Sequence, residues 1–195
     1  NGIIKYTGKI NKIDLSKNNC TLQISSKLNF SKNEIGSSIS CSGACLTLEK
    51  YKRNLSTFYI SKETLNKTNF KYAKKGDVIN IEKSMKYGSR ISGHFVLGHV
   101  DTTSAIKRIR FIGKSWFITF KLAKKYKKHF VQKGSITING VSLTISKILS
   151  DGFEIAVIPQ TLKLTNLIYL KKKDIVNVEF DALAKYIGNY FKKSL

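Results

Sequence analysis

Small polar and nucleophilic side chains recur along this chain at a spacing of 97 positions. Cys45 is matched by Ser142, Thr47 by Thr144, Glu63 by Gln160 and Thr64 by Thr161. A thiol or hydroxyl flanked by threonines can hydrogen-bond a polar ring and hold or pass a proton. Recurrence at equivalent places implies two related pockets, suited to two molecules of the same or a similar ligand. The same L-T and T-L pairs would also serve simply to keep a duplicated fold. The histidines are His94, His99 and His129. In SGHFVLGHVD (92–101) the first two stand five apart on or beside a strand, an offset that sends them to opposite faces. They cannot easily share a metal, no thiol or carboxylate stands at metal-ligand spacing, and each His alone reads as structural. Phosphate-cradling glycine loops, H-E-x-x-H and nucleophile elbows are absent.

The elements that must position these residues come in two copies. SSISCSGACLTLEK (37–50) falls on GSITINGVSLTISK (134–147), ETLNKTNF (63–70) on QTLKLTNL (160–167), and GDVINIE (76–82) on KDIVNVE (173–179), all without a gap. With one gap, GIIKYTGKI (2–10) falls on GHVDTTSAI (98–106). The chain therefore divides into modules at 1–90 and 91–180, followed by a tail at 181–195. TLQIS, SISCS, CLTLEKY, STFYIS and DVINIE in the first module, and SWFITFKL, SITING, VSLTISKI, FEIAVI and DIVNVEF in the second, are short β-branched or aromatic runs. The fold class expected is all-β: five or six short strands in each module suggest a small closed or Greek-key barrel, since closure removes exposed edges. Gly43 and Gly140 mark hairpin turns. SKETLNKT and PQTLKLT read as short helical turns, capped by Ser61 and begun by Pro159. From Asp181, a plausible cap, Leu183, Tyr186, Ile187, Tyr190 and Phe191 share one face of a C-terminal helix. That stripe must pack on its own barrel or on another copy.

The chain has 195 residues, 35 Lys and Arg against 12 Asp and Glu, and a net charge of +23. The excess is lysine spread over both modules. Only Arg53, Arg90, Arg108 and Arg110 are arginines, too few for bidentate base reading, so no nucleic-acid partner is expected. No apolar run is long enough to span a membrane and no secretory leader is visible, which points to the cytoplasm. Cys20, Cys41 and Cys45 are an odd set without C-x-x-C, unlike a disulfide scaffold or zinc site.

In combination, GIIKYTGKI, CSGACLTL with INGVSLTI, KETLNKTN with IPQTLKLTN, SGHFVLGHVD and VNVEFDALAKY resemble the riboflavin synthase alpha chain family from residue 2 to about 190. The resemblance implies two tandem six-stranded Greek-key barrels, a C-terminal helix that assembles a homotrimer, no cofactor and no metal. It implies a dismutation of two 6,7-dimethyl-8-ribityllumazine molecules. One gives a four-carbon unit to the other, yielding riboflavin and 5-amino-6-(D-ribitylamino)uracil. It also implies that the first barrel of one subunit faces the second barrel of its neighbour, and that the protein associates with lumazine synthase. Relatives of the same fold hold a lumazine or flavin as a fluorescent antenna; those tend to lose the polar residues of the second barrel, whereas Ser142, Thr144 and Thr161 are present here.

By the same resemblance, the first pocket is expected to use Gly2, Ile3 and Ile4, with Cys45, Leu46 and Thr47 from the hairpin. Tyr59, Ile60, Ser61, Lys62, Glu63 and Thr64 would follow, with Gly98, His99 and Val100 completing it. The second pocket would use Lys133, then Ser142, Leu143 and Thr144, then Ile158, Pro159, Gln160, Thr161, Leu162 and Lys163. The catalytic set is Cys45 and His99, assisting proton transfer or nucleophile activation, with Ser142 and Thr144 binding and polarising the opposing ring. The sequence departs from the family at Asn139, where an Asp would place a carboxylate near the second pocket, and at Gln160, where a His or Glu is usual.

Overall fold

Short runs that bury one face can do so by closing on themselves. The computed structural model describes residues 1–16 and 19–193. Strands β1 (Tyr6–Ser16), β2 (Asn19–Ser26), β3 (Ser38–Cys41), β4 (Ala44–Lys52), β5 (Leu55–Tyr59) and β6 (Val78–Lys83) form a closed antiparallel barrel in the order β1-β2-β5-β4-β3-β6. A second barrel has the matching order β7-β8-β11-β10-β9-β12. Its strands are β7 (Thr102–Ile112), β8 (Ser115–Lys121), β9 (Ser135–Ile138), β10 (Val141–Leu149), β11 (Gly152–Val157) and β12 (Ile175–Phe180). Register shifts recur at equivalent places, Ile10/Lys12 and Leu48/Lys50 in the first barrel, Ile106/Arg108 and Ile145/Lys147 in the second. Such bulges sharpen the coiling that a six-stranded closure needs.

Inward positions make two separate cores. Leu22, Ile24, Leu48, Phe58 and Ile81 lie in the first. Phe120 and Phe153, stacked at 5.0 Å, lie in the second with Ile118, Ile155 and Val178. Burying each such side chain stabilises by roughly 1.5–3 kcal/mol. Helix α1 (Lys62–Lys67) begins where the Thr64 amide donates to Ser61 Oγ at 3.1 Å, and α2 (Pro159–Leu164) begins on Pro159. Both match the expected turns. The Leu183 amide donates to Asp181 Oδ1 at the start of α3 (Ala182–Lys193), and Lys185 ties that helix to Asp101 at 3.0 Å. Leu183, Tyr186 and Ile187 face solvent, so the stripe does not pack on its own barrel there; the side chains of Tyr190 and Phe191 lie outside the described residues.

Ser42-Gly43 and Asn139-Gly140 join β3 to β4 and β9 to β10 with all four residues at positive φ (44°, 83°, 46° and 81°), the two-residue turn the sequence predicts. These two turns meet where the barrels touch. A Cβ on Gly43 would stand 2.7 Å from the Gly140 nitrogen, and one on Gly140 2.8 Å from the Gly43 nitrogen. Around them runs a polar seam of approximate two-fold symmetry. Asn80 donates to the Asn139 carbonyl at 2.8 Å and accepts from the Asn166 amide at 2.7 Å. Asn177 donates to the Ser42 carbonyl at 2.8 Å and accepts from the Asn69 amide at 2.7 Å.

Two expectations change here. Residues 92–101 form no strand; bends at Gly93 and Gly98 break the segment, which lies on β4 of the first barrel through the Gly98 carbonyl. Asn139 is buried in the seam, where its Oδ1 accepts from the Asn177 amide at 2.9 Å, and it lines a cavity there with Ser42, Asn69 and Asn166. Its hairpin turn points at the other barrel, which is what carries the side chain into the seam.

Candidate functional site

Alternation along β4 sends Leu46 into the core and leaves Cys45 and Thr47 on the outer face. Against Cys45 lies a stretch from the other half of the chain. The Cys45 amide donates to the Gly98 carbonyl at 2.8 Å, and Val100 packs on the first core. The resulting cavity, about 290 Å³, is lined by Ala44, Cys45, Glu63, Thr64, Lys67, Thr68, Gly98, His99 and Val100. It thus gathers six of the expected residues from three separate stretches. Thr64 shares a 2.9 Å hydrogen bond with Ser61, which fixes both hydroxyls at the start of α1.

The second barrel repeats the arrangement with the donor reversed. The Ser142 amide donates to the Gly2 carbonyl at 2.8 Å, and Ile4 is buried in the second core. Gly2–Ile4 therefore lie against the second barrel and Ser142, not against the first barrel with which the sequence reading grouped them. The physical reason is an exchange: the first module's leading arm lies on β10, and the second module's lies on β4. Each arm carries a glycine at positive φ (72° and 78°) where a Cβ would strike Ser142 or Cys45 at 2.7 or 2.8 Å.

Some expected residues can meet a ligand only through their backbone. Ile4, Leu46, Ile60 and Leu162 spend their side chains on the cores. Tyr59, Ile158 and Thr144 are exposed on outer faces. Lys133, expected in the second pocket, stands in the turn before β9 at φ 66°, where the first module has Gly36 at 90°. A larger cavity, about 810 Å³ on the outside of the second barrel, is lined by Lys107, Arg108, Arg110, Lys147 and Lys172 among others, and contains no expected residue.

His94 is what the sequence reading missed. Its Nδ1 lies 2.7 Å from Ser142 Oγ and its Nε2 3.0 Å from Thr137 Oγ1. With the proton on Nε2, the ring donates to Thr137 and accepts the Ser142 hydroxyl, making Ser142 a better nucleophile or base relay. The two histidines do part, though not through strand alternation: His94 meets Ser142 in the second barrel, and His99 lines the cavity beside Cys45 in the first. Burial holds the His94 imidazole below its usual range, with Asp181 pulling the other way. The unfolded chain then takes up a proton that the folded site resists. The contribution is therefore full above about pH 6.5 and is lost as pH falls toward the depressed value. The decline in Tm between about pH 7 and pH 5 is expected to be shallower in His94→Gln than in the wild type, a comparison in which all other titrating groups cancel. Parallel curves would show that the ring binds protons equally in both states.

Tandem closed barrels, each with an arm from the other half of the chain laid on its outer face and with a polar cavity beside Cys45, define a class of duplicated ligand-binding proteins. The model of the family described as Lumazine binding domain matches the chain twice, over residues 1–84 and 97–181. The riboflavin synthase of Photobacterium phosphoreum is 34% identical over 187 residues, covering 95% of this chain and 86% of its own. That of Bacillus subtilis (strain 168) is 34% identical over 193 residues, covering 99% and 90%. The chain belongs to the riboflavin synthase family. Among solved structures, LumP complexed with 6,7-dimethyl-8-(1'-D-ribityl) lumazine superposes with a TM-score of 0.79 at 25% identity, over 92% of this chain and 97% of that one. LumP complexed with riboflavin gives 0.80 at 26% identity over the same shares.

Proposed function

We propose that the chain is a riboflavin synthase that converts two molecules of 6,7-dimethyl-8-ribityllumazine into riboflavin and 5-amino-6-(D-ribitylamino)uracil. The observation that carries this reading is the pair of related but unequal settings, a thiol at Cys45 in a cavity with His99 and a hydroxyl at Ser142 hydrogen-bonded to His94. Two identical substrates must react in opposite roles, one donating and one accepting four carbons, and unequal seats assign those roles. The products together contain the atoms of the two substrates, so no outside oxidant or reductant is needed. The lumazine is itself reactive: its C7 methyl is acidic and C7 is electrophilic. Orienting two rings face to face supplies much of the acceleration, and polar groups need only stabilise the anion of one ring and activate a nucleophile at C7 of the other.

In this reading Cys45 and His99 serve the first pocket, while Ser142, polarised by His94, and Thr144 act on the opposing ring. The assembly is a homotrimer in which the first barrel of one subunit faces the second of the next; the solvent-facing Leu183, Tyr186 and Ile187 support it. Incubation with the lumazine is expected to produce riboflavin absorbance. Ser142→Ala and His99→Ala are each expected to lose about 10²-fold or more in turnover with the oligomer intact. Wild-type rates in both variants would sink the assignment. A shifted lumazine spectrum without any riboflavin would instead identify an antenna-type binder.

A further inference from the structure

The exchanged arms are pinned from below by two carboxylates. The Gly2 and Ile3 amides donate to Glu82 Oε2 and Oε1 at 3.0 and 3.4 Å. The Leu97 and Gly98 amides donate to Glu179 Oε1 and Oε2 at 2.8 and 3.1 Å. Glu82 and Glu179 occupy the same place in β6 and β12, the final residues of the aligned GDVINIE and KDIVNVE. Burial pushes both carboxyls up, and the arm amides pull them back. In a chain with 35 Lys and Arg, each of these acids nevertheless spends its two oxygens on successive backbone amides. Only a carboxylate accepts at both atoms; an amide side chain would turn a donor toward one of them.

We propose that Glu82 and Glu179 are positioning residues that lock the crossed arms, so that each barrel shapes the pocket of the other. Glu179, in the second barrel, holds Gly98 against Cys45 in the first. Glu82, in the first barrel, holds Gly2 against Ser142 in the second. The proposal rests on the functional reading for the ligand in those pockets, and on geometry alone for the lock.

The lock is tested by thiol labelling in the full-length protein. Cys20 and Cys41 are buried and Cys45 is half-buried beneath the Gly98 arm, so the rate at which an aromatic disulfide reagent modifies Cys45 reports the arm directly. Glu179→Gln is expected to raise that rate about tenfold or more, with circular dichroism unchanged. Glu82→Gln is expected to leave it at the wild-type value. In a Ser142→Cys background the pattern reverses: labelling at 142 rises with Glu82→Gln and not with Glu179→Gln. Glu179→Asp, too short to reach both amides, is expected to behave like Glu179→Gln. The KM for the lumazine rises by a similar factor in Glu179→Gln while kcat changes less.

Unchanged labelling in Glu179→Gln, or an equal rise from both substitutions, overturns the crosswise lock. Fast labelling with an unaltered KM overturns the positioning role. Should Glu179→Gln fail to fold, Gly98→Ala, whose Cβ pushes the arm off Cys45, must raise labelling in the same way or the proposal fails. A wild-type protein that ignores the lumazine would defeat the functional reading, yet the labelling pattern would still decide the lock.

Discussion

Gly43→Val is expected to destabilise the protein by at least about 3 kcal/mol, lowering Tm by roughly 6–12 °C for a chain of this length. Two penalties combine. At φ 83° a β-branched side chain is held in a left-handed conformation that costs roughly 1–2 kcal/mol. Its Cβ would also lie 2.7 Å from the backbone nitrogen of Gly140, and the barrels would have to part for it. The second penalty can be isolated, because Gly76 sits at φ 93° with nothing within 4 Å of a would-be Cβ. Gly76→Val should therefore show the conformational cost without the clash. Thermal unfolding of the two variants gives the difference, and equal losses would mean that the contact between the turns contributes nothing.

Charging the exposed stripe of α3 is expected to abolish turnover without unfolding either barrel. Leu183, Tyr186 and Ile187 are 59%, 73% and 57% exposed in the single chain, and large apolar side chains gathered on one helical face mark an interaction surface. In Leu183→Lys/Tyr186→Glu/Ile187→Lys, light scattering should find monomers. Lumazine binding should stay within a few-fold of wild type, because the pocket beside Cys45 is built entirely within one chain. Riboflavin formation should fall by at least about 10²-fold, because the two rings no longer meet and the advantage of holding both reactants together is gone. A monomer that still turns over would overturn the shared-site arrangement.

The barrels and their doubling were legible because they leave local marks. Alternating runs, the Ser42-Gly43 and Asn139-Gly140 turns, the Ser61 cap and Pro159 each act within a few residues, and the duplication wrote each mark twice. The fine geometry of the site was not. His94 meets Ser142 across 48 positions, Gly2 meets Glu82 across 80, and Asn69 meets Asn177 across 108. Contacts at such separations impose no period on the chain. The exchange of Gly2–Ile4 between barrels was hidden for the same reason: an arm of three residues carries nothing that says which neighbour it will cover. Asn139 misled in a different way, since a turn residue looks exposed until a second turn is found resting on it. A sharper reading of the repeat could have flagged Glu82 and Glu179, two acids kept at matching places in a chain otherwise crowded with lysine.

The contacts of the seam have the form of an isologous interface, in which each residue meets the counterpart of its own partner. Asn69 with Asn166 and Asn80 with Asn177 are the same residue in both halves, and each bonds across the seam through its side chain. Ser42 and Asn139 offer the same backbone carbonyl to the facing asparagine, and there the halves differ. Their side chains nevertheless accept alike, Ser42 Oγ from the Asn80 amide at 3.2 Å and Asn139 Oδ1 from the Asn177 amide at 2.9 Å. Equivalent places thus admit different residues where a hydroxyl or an amide can each supply the acceptor, and hold the same one where a side chain must donate and accept at once, as Asn80 and Asn177 do.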